Sequence, residues 1–318
     1  MSIMDLKEKI SDVLSVENCS AEFYFLIKDG DEINIRFVDI KDEDQEELSK
    51  SFVNSINNSF LLNDDLSLIS LSGADDRKNA VYEYDIEELP NELSHLAEVI
   101  DNDDYNTFDF SSDSLANLKG ILVLVGDDEK QLSIYKHQYP VALIKKSSGI
   151  KILRSSGTSR FEKLNDDILS INPKFEFFCV DGKYYIQDLK ALERFFGFHD
   201  AVKNVAMEGI ENIEESGLIE NPGVLNERID DISFSRKLVK VARNSPVIGK
   251  IPNEQIIEFT KIHPALKGKF KYSSDEDQLF LKTKSSQNLF LKLLNDDFLQ
   301  SELTRRYYDS IAKDGIEV

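Results

Sequence analysis

Hydrophobic spacing divides the first hundred residues into short amphipathic helices and β-rich runs. Ile3, Leu6 and Ile10 recur at helical spacing, which predicts a first helix over residues 3–14. Two β-rich runs follow at residues 21–28 and 32–38, and the dipeptide Asp29-Gly30 between them is typical of a tight hairpin turn. Further helices and strands of ordinary length are predicted up to an acidic, Asn-rich loop near residue 101.

The pattern changes to β structure after this loop and to helices after residue 187. Short apolar runs, among them residues 121–125, 132–135 and 175–180, are bounded by turn residues and predict strands. Asp181-Gly182 predicts a second hairpin, and Ser285 is the predicted N-cap of a late helix. The predicted fold class is therefore α+β, with a mixed β-sheet core and a helical C-terminal third.

The distribution of charge divides the chain into two regions, a division that the hydrophobic pattern alone does not show. Residues 1–130 hold 10 Lys and Arg against 32 Asp and Glu, a net charge of −22, whereas residues 131–318 have a net charge of +1. We accordingly predict an acidic N-terminal α/β region at residues 1–112 and a second region at residues 113–318. The second region is β-rich over residues 115–187 and helical over residues 188–318.

Several common site types are not indicated by the residue spacing. The sequence contains neither GxxxxGK[ST] nor GxGxxG, its four histidines are scattered, and Cys19 and Cys179 lie far apart. We therefore predict no catalytic residues, no metal site and no cofactor, with Cys179 reduced in the core. No apolar run approaches the ~20 residues of a membrane span, and the N-terminus does not resemble a signal peptide, so a cytoplasmic protein is expected.

Two basic segments interrupt this acidic chain and suggest a nucleic-acid surface. Residues 136–163 have a net charge of +6 and residues 232–272 have a net charge of +7. Between Arg154 and Arg160, the residues Ser-Ser-Gly-Thr-Ser suit either a phosphate-binding loop or an ordinary surface loop. We predict that both segments form one continuous surface that binds the backbone of double-stranded DNA. Its residues are Lys145, Lys146, Lys151, Arg154, Arg160, Arg236, Lys237, Lys240, Arg243, Lys267, Lys269 and Lys271.

Two other functions stay open at this point. A metal-dependent nuclease would need converging carboxylates, for which the run Asp127-Asp128-Glu129-Lys130 after an apolar strand is the nearest local candidate. Such a run is also typical of a solvated hairpin turn. Alternatively, the chain is a protein-interaction adaptor whose basic segments dock on acidic partner surfaces rather than on DNA.

Two longer stretches carry a family resemblance. Residues Phe175 to Ala206 read FEFFCVDGKYYIQDLKALERFFGFHDAVKNVA, an apolar hairpin leading into a helix with a phenylalanine-rich pattern. That pattern, together with the ending FLKLLNDDFLQSELTRRYYDS from Phe290 to Ser310, resembles the KwaB-like proteins of the Kiwa anti-phage defence system. The resemblance covers roughly residues 115 to 315, and its motifs are packing motifs rather than catalytic ones. In this chain the helix pattern consists of Glu193, Phe195, Phe196 and Phe198.

The resemblance implies partners that the residues do not identify by themselves. It implies a cytoplasmic protein that is recruited to the inner membrane by KwaA, a small multi-pass membrane protein. It also implies that the protein engages phage DNA and interferes with phage replication and expression. This multi-subunit setting, together with several short amphipathic helices, leads us to expect a homodimer or a higher homo-oligomer.

Overall fold

The computed structural model describes residues 2–17, 19–74, 77–144, 152–154, 161–163, 166–196 and 198–310. Two compact units interleave along the chain. The first unit comprises residues 1–66 and 91–188, and the second comprises residues 67–90 and 189–318. The division predicted at residue 112 rested on charge and family resemblance, and it stays a prediction.

The longest strands belong to the central sheet of the first unit. In chain order they are β1 (Ser20–Asp29), β2 (Glu32–Phe37), β3 (Ser67–Ser70), β4 (Ala80–Glu83), β5 (Leu118–Gly126), β6 (Gln131–His137), β7 (Leu143–Ile144), β8 (Ile152–Arg154), β9 (Phe161–Lys163), β10 (Ile168–Leu169), β11 (Phe177–Val180), β12 (Lys183–Ile186), β13 (Lys271–Tyr272), β14 (Leu279–Phe280), β15 (Phe298–Gln300) and β16 (Tyr307–Asp309).

The helices are concentrated after residue 188. In chain order they are α1 (Ile3–Leu14), α2 (Asp42–Ile56), α3 (Asn91–Asp101), α4 (Leu189–Phe195), α5 (Phe198–Glu215), α6 (Gly223–Asn226), α7 (Ile232–Asn244), α8 (Asn253–Ile262) and α9 (Lys284–Leu294). A π-helical segment, Asn57–Leu61, continues α2.

The core of the first unit is an antiparallel sheet. Its strands lie in the order β2, β1, β5, β6, β11 and β12, and each pairs with its neighbours in antiparallel register. Strand β5 is buried at every position except Lys119. This nearly continuous apolar run indicates a central strand that is covered on both faces.

Helices cover both faces of this sheet. Successive side chains of a strand point to opposite faces. The hydroxyl of Ser133 on β6 donates a hydrogen bond to the carbonyl of Leu96 on α3, whereas Lys136 on the other face lies in a cleft lined also by Ser55 of α2. Helices α2 and α3 therefore lie on opposite sides of β6.

Both predicted hairpins are confirmed. Strands β1 and β2 meet at Gly30, which has a φ of +63°, and β11 and β12 meet at Asp181 and Gly182, with φ values of +51° and +69°. In the second hairpin both turn residues have positive φ, which matches the twist of antiparallel strands. In the first hairpin Asp29 still pairs with Glu32, so the turn residues are Gly30 and Asp31, and of these two Gly30 alone has positive φ.

The second unit has a helical core. Helix α5 packs on α7 so closely that a Cβ added to Gly209 would lie 2.7 Å from the Cβ of Ala242. Strands β3 and β4 pair in parallel register. With the antiparallel sheet of the first unit, this parallel pair confirms the α+β class with mixed β structure and a helical C-terminal third.

The predicted start of helix α9 was wrong by two residues. Thr283, not Ser285, is the N-cap, and its hydroxyl accepts a hydrogen bond from the backbone N–H of Ser286 at 3.1 Å. The Ser286 hydroxyl in turn accepts a hydrogen bond from the Thr283 N–H, which completes a reciprocal capping box. Both residues suit an N-cap by type, and this second hydrogen bond favours Thr283.

Candidate nucleic-acid interface

Helix α7 positions the second basic segment. Asp231 caps its first turn by accepting a hydrogen bond from the N–H of Phe234 at 3.3 Å. The side chains of Phe234, Leu238 and Val241 are buried, so the opposite stripe of the helix carries the basic residues. The local sequence thus folds as the spacing predicted, as an amphipathic helix with one cationic side.

Two arginines of this stripe are engaged inside the second unit. Arg236 is only 11% exposed, and its Nε lies 2.6 Å from the Oε1 of Glu193 on α4. The guanidinium of Arg243 donates a hydrogen bond to the backbone carbonyl of Asp85 at 2.8 Å. These contacts hold α7 in the unit, and the ion pair offsets the positive charge of Arg236.

The exposed cations of the segment are lysines. Lys237 on α7 is exposed, and Lys240 one turn later is half-buried. After α8, Lys267 and Lys269 lie on exposed turns and Lys271 begins β13, also exposed. The predicted set of the second segment therefore consists of two engaged arginines, the half-buried Lys240 and four exposed lysines.

The first basic segment is described only in part. Lys145, Lys146, Lys151 and Arg160 lie outside the described residues, as does the Ser-Ser-Gly-Thr-Ser stretch between Arg154 and Arg160. The backbone of Arg154 ends strand β8, which pairs with β9. The continuity of the two basic segments stays a prediction.

The acidic run after β5 forms a hydrogen-bonded turn. The Oδ1 of Asp127 accepts hydrogen bonds from the N–H groups of Glu129 and Lys130 at 3.0 and 2.9 Å. These two donors lower the pKa of the Asp127 carboxyl below its usual value. Gly126 precedes the turn with a φ of +134°, where a Cβ would lie 2.0 Å from the Lys130 carbonyl oxygen. The turn therefore requires glycine at this position.

Carboxylates do gather around this turn, in a cleft of about 450 Å³. Within the described part of the chain, no three His, Cys, Asp or Glu side chains are arranged so that they could hold a metal ion. The nuclease hypothesis thus has a set of carboxylates in one cleft but no metal-binding geometry among the described residues. The acidic side chains that line the cleft are Glu22, Asp101, Asp103, Asp127 and Asp128.

Lys136 and Glu176 are the two buried charged residues of another cleft in the first unit, and the residue pattern does not distinguish them as a site. Lys136 entered only as one of the basic residues in the first segment. A signal was present only for Glu176, which lies between Phe175 and Phe177 in an apolar run, whereas Lys136 simply follows the run 132–135. A buried charge that has a specific charged neighbour in a cleft is a candidate functional group.

Two further features concern the buried cysteine and the membrane. Cys179 on β11 is fully buried, as predicted for a core cysteine, and burial raises the pKa of its thiol to about 12. Across the residues that the structure describes, no helix combines the length and the apolar character that a membrane crossing requires.

Comparisons with known proteins agree on one family. A family model described as "Kiwa protein KwaB-like" matches residues 115–304. The chain is also 32% identical to the "Kiwa protein KwaB" of Escherichia coli O55:H7 over 322 aligned positions, which cover 100% of both chains. No solved structure matches the chain. The chain therefore belongs to the KwaB-like family and is a component of the Kiwa anti-phage defence system.

Proposed function

We propose that this defence component binds double-stranded DNA through a basic surface that contacts the phosphate backbone. The observation that carries the proposal is the exposure of Lys237, Lys267, Lys269 and Lys271, four cations of one basic segment in an otherwise acidic chain. Clustered exposed lysines neutralise phosphates and release condensed counterions. Bound in this way, the protein would obstruct replication and expression of phage DNA.

The chemistry of these side chains favours the backbone over the bases. An ammonium group is a flexible point charge, whereas base recognition relies on the planar, bidentate fork of arginine. Arg236 pairs with Glu193 and Arg243 binds a backbone carbonyl, so lysines carry most of the proposed contact. We therefore expect binding with little dependence on sequence.

The proposal includes an assembly at the inner membrane. A KwaA-like membrane protein would recruit the cytoplasmic chain, and a homodimer or a higher homo-oligomer would present two or more basic surfaces to one duplex. Light scattering should return at least twice the monomer mass of 36.3 kDa. The proposal assigns no catalytic residue, metal or cofactor to the chain.

Charge reversal with a salt titration tests the DNA surface. Duplex DNA affinity is measured at several salt concentrations for Lys237→Glu/Lys269→Glu. If each lysine neutralises one phosphate, the slope of log affinity against log salt should flatten by about 1.8, with equal losses on unrelated sequences. The pair Lys145→Glu/Lys146→Glu applies the same test to the first basic segment.

Lys282→Glu/Lys284→Glu is the matched control, because both lysines are exposed in the second unit and lie outside the two basic segments. It changes the net charge equally, so equal loss in control and test variants would indicate a general charge effect. Unchanged affinity in both folded test variants would reject the surface. Supercoiled plasmid incubated with Mg²⁺ or Mn²⁺ in parallel distinguishes binding from nuclease activity.

A further inference from the structure

A second cleft in the first unit has a volume of about 450 Å³. It is lined by Lys136 of β6 and by Glu176, which precedes β11, together with Ser55, Ser59, Tyr139 and Phe175. Ser59 belongs to the π-helical segment, an irregularity that occurs frequently at functional sites. The volume lies within the range of clefts that hold small molecules.

Lys136 and Glu176 are charged groups enclosed in this cleft. Lys136 is 4% exposed and Glu176 is 6% exposed. Lys136 Nζ donates a hydrogen bond to the Lys174 carbonyl at 3.0 Å, and Glu176 Oε2 accepts one from the His137 N–H at 2.7 Å. Among the described residues these are the only hydrogen bonds of the ammonium and of the carboxylate, and the two side chains form no direct ion pair.

Each group therefore has unused hydrogen-bonding capacity. An ammonium carries three N–H donors, and a carboxylate offers about four acceptor positions. Burial lowers the pKa of Lys136 and raises the pKa of Glu176, and each charge opposes the shift of the other. A molecule with an acceptor for Lys136 and a donor for Glu176 would complete both coordination shells.

The lining restricts the kind of molecule that fits. Lys136 and Lys174 are balanced by Glu176 and Asp188, so the cleft does not favour a simple anion. Tyr139 and Phe175 are the aromatic residues of the lining, and an aromatic lining favours a flat ring system. A nucleobase combines these properties, since its edge carries an acceptor beside an N–H donor.

We infer that the Lys136–Glu176 cleft binds a nucleobase, with Lys136 donating to a ring acceptor and Glu176 accepting from an adjacent N–H. The base would belong either to a free nucleotide or to a nucleotide turned out of a DNA duplex. The inference is independent of the lysine surface on the second unit. It therefore goes beyond the proposed binding of the DNA backbone, and the two proposals can be tested independently.

Calorimetric titration of the full-length protein with GMP, AMP, CMP and UMP tests the cleft. At least one should bind saturably below about 5 mM, and ribose 5-phosphate, which lacks a base, should not. Lys136→Met and Glu176→Gln should each weaken that binding by about ten-fold or more. Lys119→Met is the control, because Lys119 is exposed on β5 of the same unit, and it should bind as the parent does.

Three results would overturn the inference. The first is that none of the four nucleotides binds saturably. The second is that the folded variants bind as tightly as the parent, and the third is that ribose 5-phosphate binds as tightly as the nucleotides. If Lys136→Met does not fold, the binding measured with the nearly isosteric Glu176→Gln tests the inference. Competition by a duplex with one unpaired base, but not by a fully paired duplex, would identify DNA as the source of the base. Nucleotide binding without such competition would identify a free nucleotide.

Discussion

The two compact units are both acidic but place their charges differently. The first unit holds 17 Lys and Arg against 32 Asp and Glu, a net charge of −15, and the second holds 21 against 27, a net charge of −6. In the first, Lys136 and Glu176 are enclosed beside an antiparallel sheet, whereas Lys237 and Lys269 of the second are exposed. The net charge of a unit therefore does not show which of its cationic groups can contact a partner. That depends on whether each side chain is buried or exposed.

Removing residues 1–112 would disrupt the first unit most severely. A fragment of residues 113–318 lacks β1, whose Ala21, Phe23 and Leu26 are buried and which pairs along most of β5. It also lacks residues 67–90 of the second unit, where Leu71 and Val81 are buried, so neither unit keeps its complete core. We expect loss of the entire stability of the unit, typically about 5–15 kcal/mol for a domain. Urea unfolding followed by circular dichroism should show no cooperative transition. A fragment with a transition like that of the full chain would mean that the acidic region folds separately.

A cavity in the first unit's core should have the next largest effect. Phe178 is buried and its ring contacts those of Phe60 and Tyr185, with centroids 5.5 and 4.9 Å away. Phe178→Ala should lower the free energy of unfolding by about 3–5 kcal/mol. The control is Leu303→Ala in the second unit, where the side chain is 93% exposed, and it should change stability by less than about 0.5 kcal/mol. Similar losses in both variants would contradict the assigned core.

Acid should weaken the first unit through His137. Burial, with Lys119 and Lys136 nearby, lowers the pKa of His137 to about 4. Because the unfolded value of about 6.5 is higher, this stabilising contribution is complete above pH 7 and is lost as pH falls from 6.5 towards 4. Because the imidazole is partly exposed to solvent, we expect its contribution to the free energy of unfolding to be about 2 kcal/mol. Urea unfolding at pH 7.5 and 4.5 should show a smaller difference for His137→Gln, and an equal difference would exclude His137 as the cause.

Removing the N-cap of α9, in the second unit, should have the smallest effect on stability. Thr283→Ala removes the hydroxyl that accepts from the Ser286 N–H, which should cost about 1 kcal/mol. Ser285→Ala leaves the cap intact and should be nearly neutral. The melting temperatures of the two variants compare the observed N-cap directly with the predicted one, and a larger loss for Ser285→Ala would reverse the assignment.

Local chemistry explains what the sequence predicted well. The hairpins at Gly30 and Gly182 follow from the positive φ that glycine adopts without strain, and the amphipathic α7 follows from its own spacing. In the apolar stretch after β6, a 3₁₀ turn at Pro140–Ala142 precedes the two-residue strand β7, because proline fixes φ and lacks an N–H.

Tertiary contacts explain what the sequence did not predict. Lys136 looks like any other cation of a basic segment, and only the pairing of β6 between β5 and β11 shows that it is buried. The engagement of Arg236 by Glu193 is equally invisible, because the two residues lie 43 positions apart on separate helices. Charge counts along a chain therefore identify a candidate surface but not which of its cations are exposed.

The interleaving of the two units has a consequence for synthesis of the chain. Residues 67–90 leave the ribosome before most of the first unit exists, yet the rest of their own unit begins only at residue 189. At typical elongation rates of about 5–20 residues per second, roughly 100 further residues take about 5–20 seconds. Leu71, Val81 and Tyr82, all buried in the finished protein, wait in the nascent chain for that time. A ribosome-associated chaperone that covers this segment would keep its apolar side chains from aggregating during that time.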